Sequence, residues 1–210
     1  MRLQKPLSGI ALAVALALAL PAAAGGKAER IGAFSGGAPD WIKPLLEPQG
    51  YRVARSDGSV VGDVWFRKNV PALKVSTFVG VITFPAEFSD FRAQKVKAGT
   101  YTMRFAEMPS DGDHLGAAPS NTFLLLSPVA EDTEAGDDLT FKEVTKMSAK
   151  TTGTNHPSPM WLSDVSAQKD FPAVATNSYG HEVFFVKLKQ AGGAELPIGF
   201  VVKGRTEHEV

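Results

Sequence analysis

From Trp41 onward the chain alternates short runs of apolar and polar residues with turn residues, the signature of half-buried strands in an antiparallel sheet. Tyr51 to Arg55 and Val60 to Lys68 flank Asp57-Gly58, a pair that accepts the positive φ of a tight hairpin turn. The second run sets Val60, Gly62, Val64 and Phe66 against Val61, Asp63, Trp65 and Arg67. Phe78 to Phe84 reads as a strand that stops at Pro85, and a loop containing Phe88 and Phe91 follows. In Thr100 to Phe105, Tyr101, Met103 and Phe105 share one face while Thr102 and Arg104 share the other, which predicts a half-buried strand. Thr122 to Leu126 is apolar almost throughout and predicts a strand covered on both faces. Val183 to Leu188 and Ile198 to Val202 complete the pattern on either side of a Gly192-Gly193 turn.

One segment breaks the β rhythm. Thr140-Phe141-Lys142-Glu143 fits a capping box, in which the Thr hydroxyl and the Glu carboxylate each satisfy a backbone donor at a helix start. Asp137 and Asp138 precede it, where the helix dipole favours negative charge, and Phe141, Val144 and Ser148 recur at helical spacing toward Lys150. A single short helix from Thr140 to Lys150 is predicted, ended by Gly153 and Pro157. The fold class expected is mainly β: an antiparallel β-sandwich of about seven to nine strands with one short helix.

The N-terminal pattern is of another kind. Arg2 and Lys5 precede an uncharged apolar run from Ile10 to Leu20, and Ala22-Ala23-Ala24 closes it. A charged head, a short apolar stretch and an A-x-A site describe a secretory signal peptide, and the run is shorter than the roughly 20 residues that span a bilayer. Residues 1–24 are therefore expected to be a signal peptide, residues 25–40 a Gly-rich flexible leader, and residues 41–210 the β-sandwich domain. No later apolar run is long enough to cross a membrane, so a periplasmic or secreted, soluble mature chain is expected.

Composition narrows the function classes. Without Arg2 and Lys5, the 22 Lys and Arg residues become 20 against 22 Asp and Glu, and no basic stretch offers a nucleic-acid footprint. There is no cysteine, which removes disulfides, acylation at a cysteine, c-type haem and thiolate zinc from consideration. About 185 residues remain after position 24, and with 44% apolar residues they can build one core by burial alone.

Candidate chemistry is sparse. Asp111-Gly112-Asp113-His114 pairs two carboxylates with an imidazole in the loop between the Tyr101 and Leu124 strands. Oxygen and nitrogen ligands at that spacing could hold a divalent ion or carry acid/base catalysis, and an Asp-Gly turn capping its own backbone is the plainer reading. A calcium loop is disfavoured because Leu115 occupies the third ligand position. Asn155-His156-Pro157, just past the predicted helix, is the second candidate, either presenting an imidazole to a pocket or locking its own loop.

Together, His114, His156 and Asp113 or a methionine (Met103, Met108, Met160) suit copper or zinc. Met103 shares a strand face with Tyr101 and Phe105, which reads first as core. Trp41, Trp65 and Trp161 could line a sugar-binding face, although aromatic area in this chain is first of all core. His181-Glu182 lacks the second histidine of a zinc-protease helix, and Ser166-Ala167-Gln168-Lys169 lacks the partner motifs of penicillin-binding enzymes. No nucleophile elbow, phosphate loop or dinucleotide fingerprint is present, and no catalytic residue is assigned.

Lys97-Ala98-Gly99-Thr100-Tyr101-Thr102-Met103-Arg104, Pro109 to Gly116, Phe123 to Leu126 and Gly153-Thr154-Asn155-His156-Pro157 together resemble a group of uncharacterised exported bacterial proteins. The resemblance runs over residues 42–204 and implies a secreted β-rich domain, with no activity or catalytic residue to transfer. The expectation is thus an exported, non-catalytic module that binds an unknown small ligand or protein, needs no cofactor, and uses Asp111, Asp113, His114, Asn155 and His156 as a polar patch. A copper- or zinc-binding protein and a hydrolase using the Asp113/His114 pair are the alternatives.

Overall fold

Gly58 adopts a φ of 84°, and the turn it makes joins Gly50–Ala54 to Val60–Phe66 in the hairpin that Asp57-Gly58 announces. The computed structural model describes residues 25–90, 93–109 and 120–204. Among them the strands are β1 Lys27–Ile31, β2 Gly50–Ala54, β3 Val60–Phe66, β4 Phe78–Phe84, β5 Phe88–Ser89, β6 Lys95–Val96, β7 Gly99–Glu107 and β8 Thr122–Pro128. The helix α1, Phe141–Thr152, follows, and then β9 Ser158–Trp161, β10 Ala173–Thr176, β11 Glu182–Lys189 and β12 Glu195–Lys203. The fold is mainly β with one α-helix, as the alternation predicts. All ladders between these strands are antiparallel.

The strands form a seven-stranded sheet in the order β1-β2-β3-β4-β7-β8-β9 and a three-stranded sheet in the order β10-β11-β12. A small β5-β6 ribbon completes them and, with the edge strand β1, brings the number of strands above the seven to nine expected. Period-two alternation aims Val64, Phe66, Ile82, Met103, Leu124, Leu126 and Met160 from the large sheet at Phe184, Val186, Ile198 and Phe200 from the small one. Each sheet's apolar face is thereby buried on the other, and Phe66, Phe184 and Phe200 meet with ring centroids 5.4–6.5 Å apart.

The outer face of the large sheet is covered too. Trp65, Phe78 and Val81 lie beneath Ile42 and Leu46 of the segment preceding β2. Farther along, Phe123, Leu125 and Trp161 pack with Val144 of α1. The Thr140 hydroxyl accepts from Glu143 N at 3.3 Å while the Glu143 carboxylate accepts from Thr140 N at 2.8 Å, the capping box read from the sequence. Gly153, at φ 68°, ends the helix. Ser148 and Thr151 both donate to the Leu126 carbonyl, at 2.6 and 2.8 Å, pinning α1 across β8.

β7 departs from expectation: it is buried on both faces, not half-buried. On its outer face, Arg104 collects a strap formed by residues 129–140. Its Nε and Nη2 donate to the two Asp132 oxygens at 2.8 Å, and its Nη1 donates to the Ser76 and Gly136 carbonyls at 2.8 Å. Nη2 also donates to the Glu134 carbonyl, so all five guanidinium donors are satisfied. The charged residue that marks the outer face as polar is itself what draws the strap over it. Asp137 extends the clamp by accepting from Phe78 N at 2.8 Å and from Arg67 Nη1 at 2.6 Å.

Residues 25–40 are a second correction. Instead of a flexible leader, Lys27–Ile31 pairs with β2 in unbroken register, Lys27 opposite Ala54 and Ile31 opposite Gly50. Phe34 packs edge-on against Trp65, and Trp65 Nε1 donates to the Gly32 carbonyl at 2.8 Å. Backbone ladder bonds need no apolar side chain, so a stretch of Gly, Ala and charged residues becomes a strand when a partner edge is available.

The two sheets also meet at their lateral edges. On one side Leu162 bridges to Phe200, and Ser163 N donates to the Gly199 carbonyl at 2.8 Å. On the other, a Cβ at Gly26 would lie 2.6 Å from Val174 Cγ1, so β1 and β10 touch there through a residue with no side chain.

Candidate functional site

Residues 110–119 lie outside the described residues, and with them Asp111, Asp113 and His114. Met108 N donates to the Asn121 carbonyl at 2.8 Å, which anchors that loop at the end of β7-β8 where β9 finishes. Asn155 and His156 precede β9, whose Ser158 stands opposite Leu126 at the other end of β8. Thr122 and Leu126, the β8 residues beside the two anchor points, are four residues apart along the strand, roughly 14 Å.

Asn155 and His156 are exposed. Their turn is locked by backbone and hydroxyl groups: Thr152 and Thr154 donate to the His156 carbonyl at 3.2 and 3.3 Å, and His156 N donates to Thr154 Oγ1 at 3.1 Å. The loop-locking role foreseen for His156 therefore falls to its main chain. Behind it, the buried carboxylate of Asp90 accepts from Ser158 Oγ and Gln94 Nε2, both at 3.0 Å, and ties the β5-β6 ribbon to β9.

Met103 and Met160 belong to the core between the sheets, and Trp65 and Trp161 are buried against the sheet's outer face. Among the described residues no group of three His, Asp or Glu side chains is arranged to hold a metal.

A different place gathers charge and aromatic surface. The β1-β10 seam, closed at Gly26 and Val174, opens toward the far ends of those strands into a cleft of about 250 Å³. Its floor is made by Tyr51, Phe66, Val186 and Leu188, and Phe171 stands at the side. Arg30, Arg67, Lys187 and Lys189 ring it, with Glu47 and Glu195 as the carboxylates.

The positions of the ring residues follow from strand parity. Ala28 of β1 packs against the core between the sheets; Arg30, two residues on, shares that inward face and stands opposite Tyr51 in the ladder. The Arg30 guanidinium lies 5.3 Å from the Tyr51 ring centre, and its Nη1 donates to Gln49 Oε1 at 3.3 Å. Lys187 pairs with Glu195 at 2.8 Å and rests 5.6 Å from the Phe171 ring centre. Lys189 reaches Glu47 at 3.8 Å, while Arg67 is held by Asp137 at 2.6 Å.

Sequence reading passed over these residues. Arg30 fell in the presumed leader, Lys187 lies inside the Val183 to Leu188 run, and Lys189 lies just past it. The available signal was parity: Arg30 has the parity of Ala28, a cation on a face otherwise turned to the core.

No family model matches the chain, and neither the curated proteins nor the solved structures include one similar to it.

Proposed function

We propose that the chain is an exported, non-catalytic binding domain whose ligand enters the cleft at the open end of the β1-β10 seam. The observation that carries this reading is the cleft itself: an apolar floor continuous with the core, ringed by cations on rigid strands. A site built on strands is held in place before the ligand arrives, which lowers the cost of binding. Export is supported by the charged head, apolar run and A-x-A site of residues 1–24. Binding is favoured over chemistry because the sequence carries no nucleophile elbow, phosphate loop or metal-protease signature.

The test has two parts. Expressed with its own N-terminus in a secreting bacterial host, the protein is expected outside the cytoplasm with Gly25 as its first residue; an intact Met1 terminus in the cytosol refutes export. In a fragment screen by amide chemical shift, binders are expected to perturb Arg30, Tyr51, Phe171 and Lys187 together. A screen whose hits cluster elsewhere, or that finds none, refutes the site.

A further inference from the structure

We propose that the ligand of this cleft is a small amphipathic organic anion, a carboxylate on a compact apolar body, with Arg30 as its principal charge partner. This rests on the binding reading above and names the class of ligand.

Charge comes first. Four cations line the cleft against two carboxylates. Arg67 is committed to Asp137, which leaves Arg30, Lys187 and Lys189 facing Glu47 and Glu195. Arg30 is ion-paired with no carboxylate among the described residues; its one hydrogen-bond partner is the neutral Gln49 amide. A guanidinium presents a planar fork that matches a carboxylate through two parallel hydrogen bonds, and Gln49 occupies only part of it. The Lys187–Glu195 and Lys189–Glu47 pairs are solvent-exposed on their lysine side. Exposed pairs of that kind contribute little and exchange readily, so either ammonium can turn to an incoming anion.

Shape comes second. A cleft of about 250 Å³ lies just below the usual range of small-molecule sites, about 300–1,000 Å³, and suits a ligand of one ring or a short chain. Phe66, Val186 and Leu188 close its base but are only 2–5% exposed, so the apolar contact for that body comes chiefly from the edges of the half-buried Tyr51 and Phe171 rings.

The aromatic walls argue in the same direction. A sugar would need free ring faces to stack on, but Arg30 covers Tyr51 and Lys187 covers Phe171. The Tyr51 hydroxyl has no hydrogen-bond partner among the described residues, unlike that of Tyr101, which donates to the Lys97 carbonyl at 2.8 Å. It is thus available as a neutral donor on a residue that lines the cleft.

The experiment is an amide-shift titration of the mature protein at low salt with three probes: phenylacetate, its neutral isostere phenylacetamide, and acetate. Phenylacetate is expected to saturate with shifts at Arg30, Tyr51, Lys187 and Leu188. Phenylacetamide is expected to bind at least tenfold more weakly, and acetate more weakly than phenylacetate for want of the apolar body. Arg30→Gln and, separately, Lys187→Gln are expected to weaken phenylacetate at least fivefold and twofold, with the remaining amide spectrum unchanged as proof of folding. Equal affinity for phenylacetate and phenylacetamide, or an Arg30→Gln protein that binds as the wild type does, overturns the anion assignment and leaves the cleft a binding site. No shift at the cleft with phenylacetate also overturns it; the broader reading falls with it only if the fragment screen finds no cleft binder either.

Discussion

Arg104 and Asp132 meet in a two-pronged ion pair, Nε and Nη2 each 2.8 Å from a carboxylate oxygen, and neither side chain has any exposed surface. Thr102 donates to the same carboxylate at 2.7 Å, and Trp41 lies 5.5 Å from the guanidinium. A buried pair of this kind returns little more than its desolvation cost, but an orphaned partner is expensive. Asp132→Ala is expected to cost about 3–5 kcal/mol in urea unfolding. The paired change Arg104→Met with Asp132→Leu is expected to cost less than the single one, because it leaves no buried charge. A loss below about 1 kcal/mol for Asp132→Ala means that the 129–140 strap is held by something other than this pair.

Gly80 sits where the β3-β4 ladder runs too close for any side chain. A Cβ there would overlap the Trp65 carbonyl oxygen and stand 2.9 Å from Phe66 Cα, both main-chain atoms that cannot turn aside. The β4-β7 register shifts between Phe78 and Gly80, so the irregularity is built around this contact. Gly80→Ala is expected to destabilise by on the order of 3 kcal/mol. Thermal unfolding that moves by less than a degree or two would show that the β4 backbone yields more easily than the geometry implies.

The helix start can be tested in isolation from the core. Thr140→Ala removes the hydroxyl that caps Glu143 N and is expected to cost about 1 kcal/mol. In the wild type, the Glu143 carboxyl is held below its ordinary value of 4.5 by hydrogen bonds from the Thr140 hydroxyl and then the Thr140 backbone. That stabilisation is present above pH 4.5 and is lost as pH falls through the lowered folded value. Stability curves of the wild type and Thr140→Ala should therefore converge on acidification; curves that stay parallel down to pH 3 would argue against the carboxylate's share in the cap.

His181 shifts stability in the same direction, lost on acidification, through burial in place of hydrogen bonding. Burial lowers its pKa from the ordinary 6.5, so the folded protein keeps the ring neutral where the unfolded chain protonates it. Above pH 6.5 the two states bind protons alike; below it, stability falls until the lowered folded value is reached and then levels off. His181→Gln is expected to flatten the stability loss between pH 7 and 5. Urea midpoints at the two pH values decide it, and an unchanged slope in the variant would place the acid sensitivity elsewhere.

The sequence by itself determined the features that rest on near neighbours. Asp57-Gly58 turns the β2-β3 hairpin because Gly58 tolerates its positive φ, and Thr140 and Glu143 cap α1 because they lie three residues apart. Leu124 and Leu126 face the core while Phe123 and Leu125 face the helix, as an uninterrupted apolar run requires. Other features depend on segments far apart in the chain. Arg104 reads as a solvent-facing residue until Asp132 and the Glu134 and Gly136 carbonyls arrive to neutralise it. Lys27–Ile31 reads as a leader until β2 offers its edge. The cleft exists only because β1 and β10, separated by most of the chain, touch at Gly26 and Val174 and diverge toward Arg30 and Phe171. Local hydrogen bonds and turn conformations are written in consecutive residues, whereas the closure of one sheet against another is decided by which distant edges find each other, and only the tertiary structure decides that.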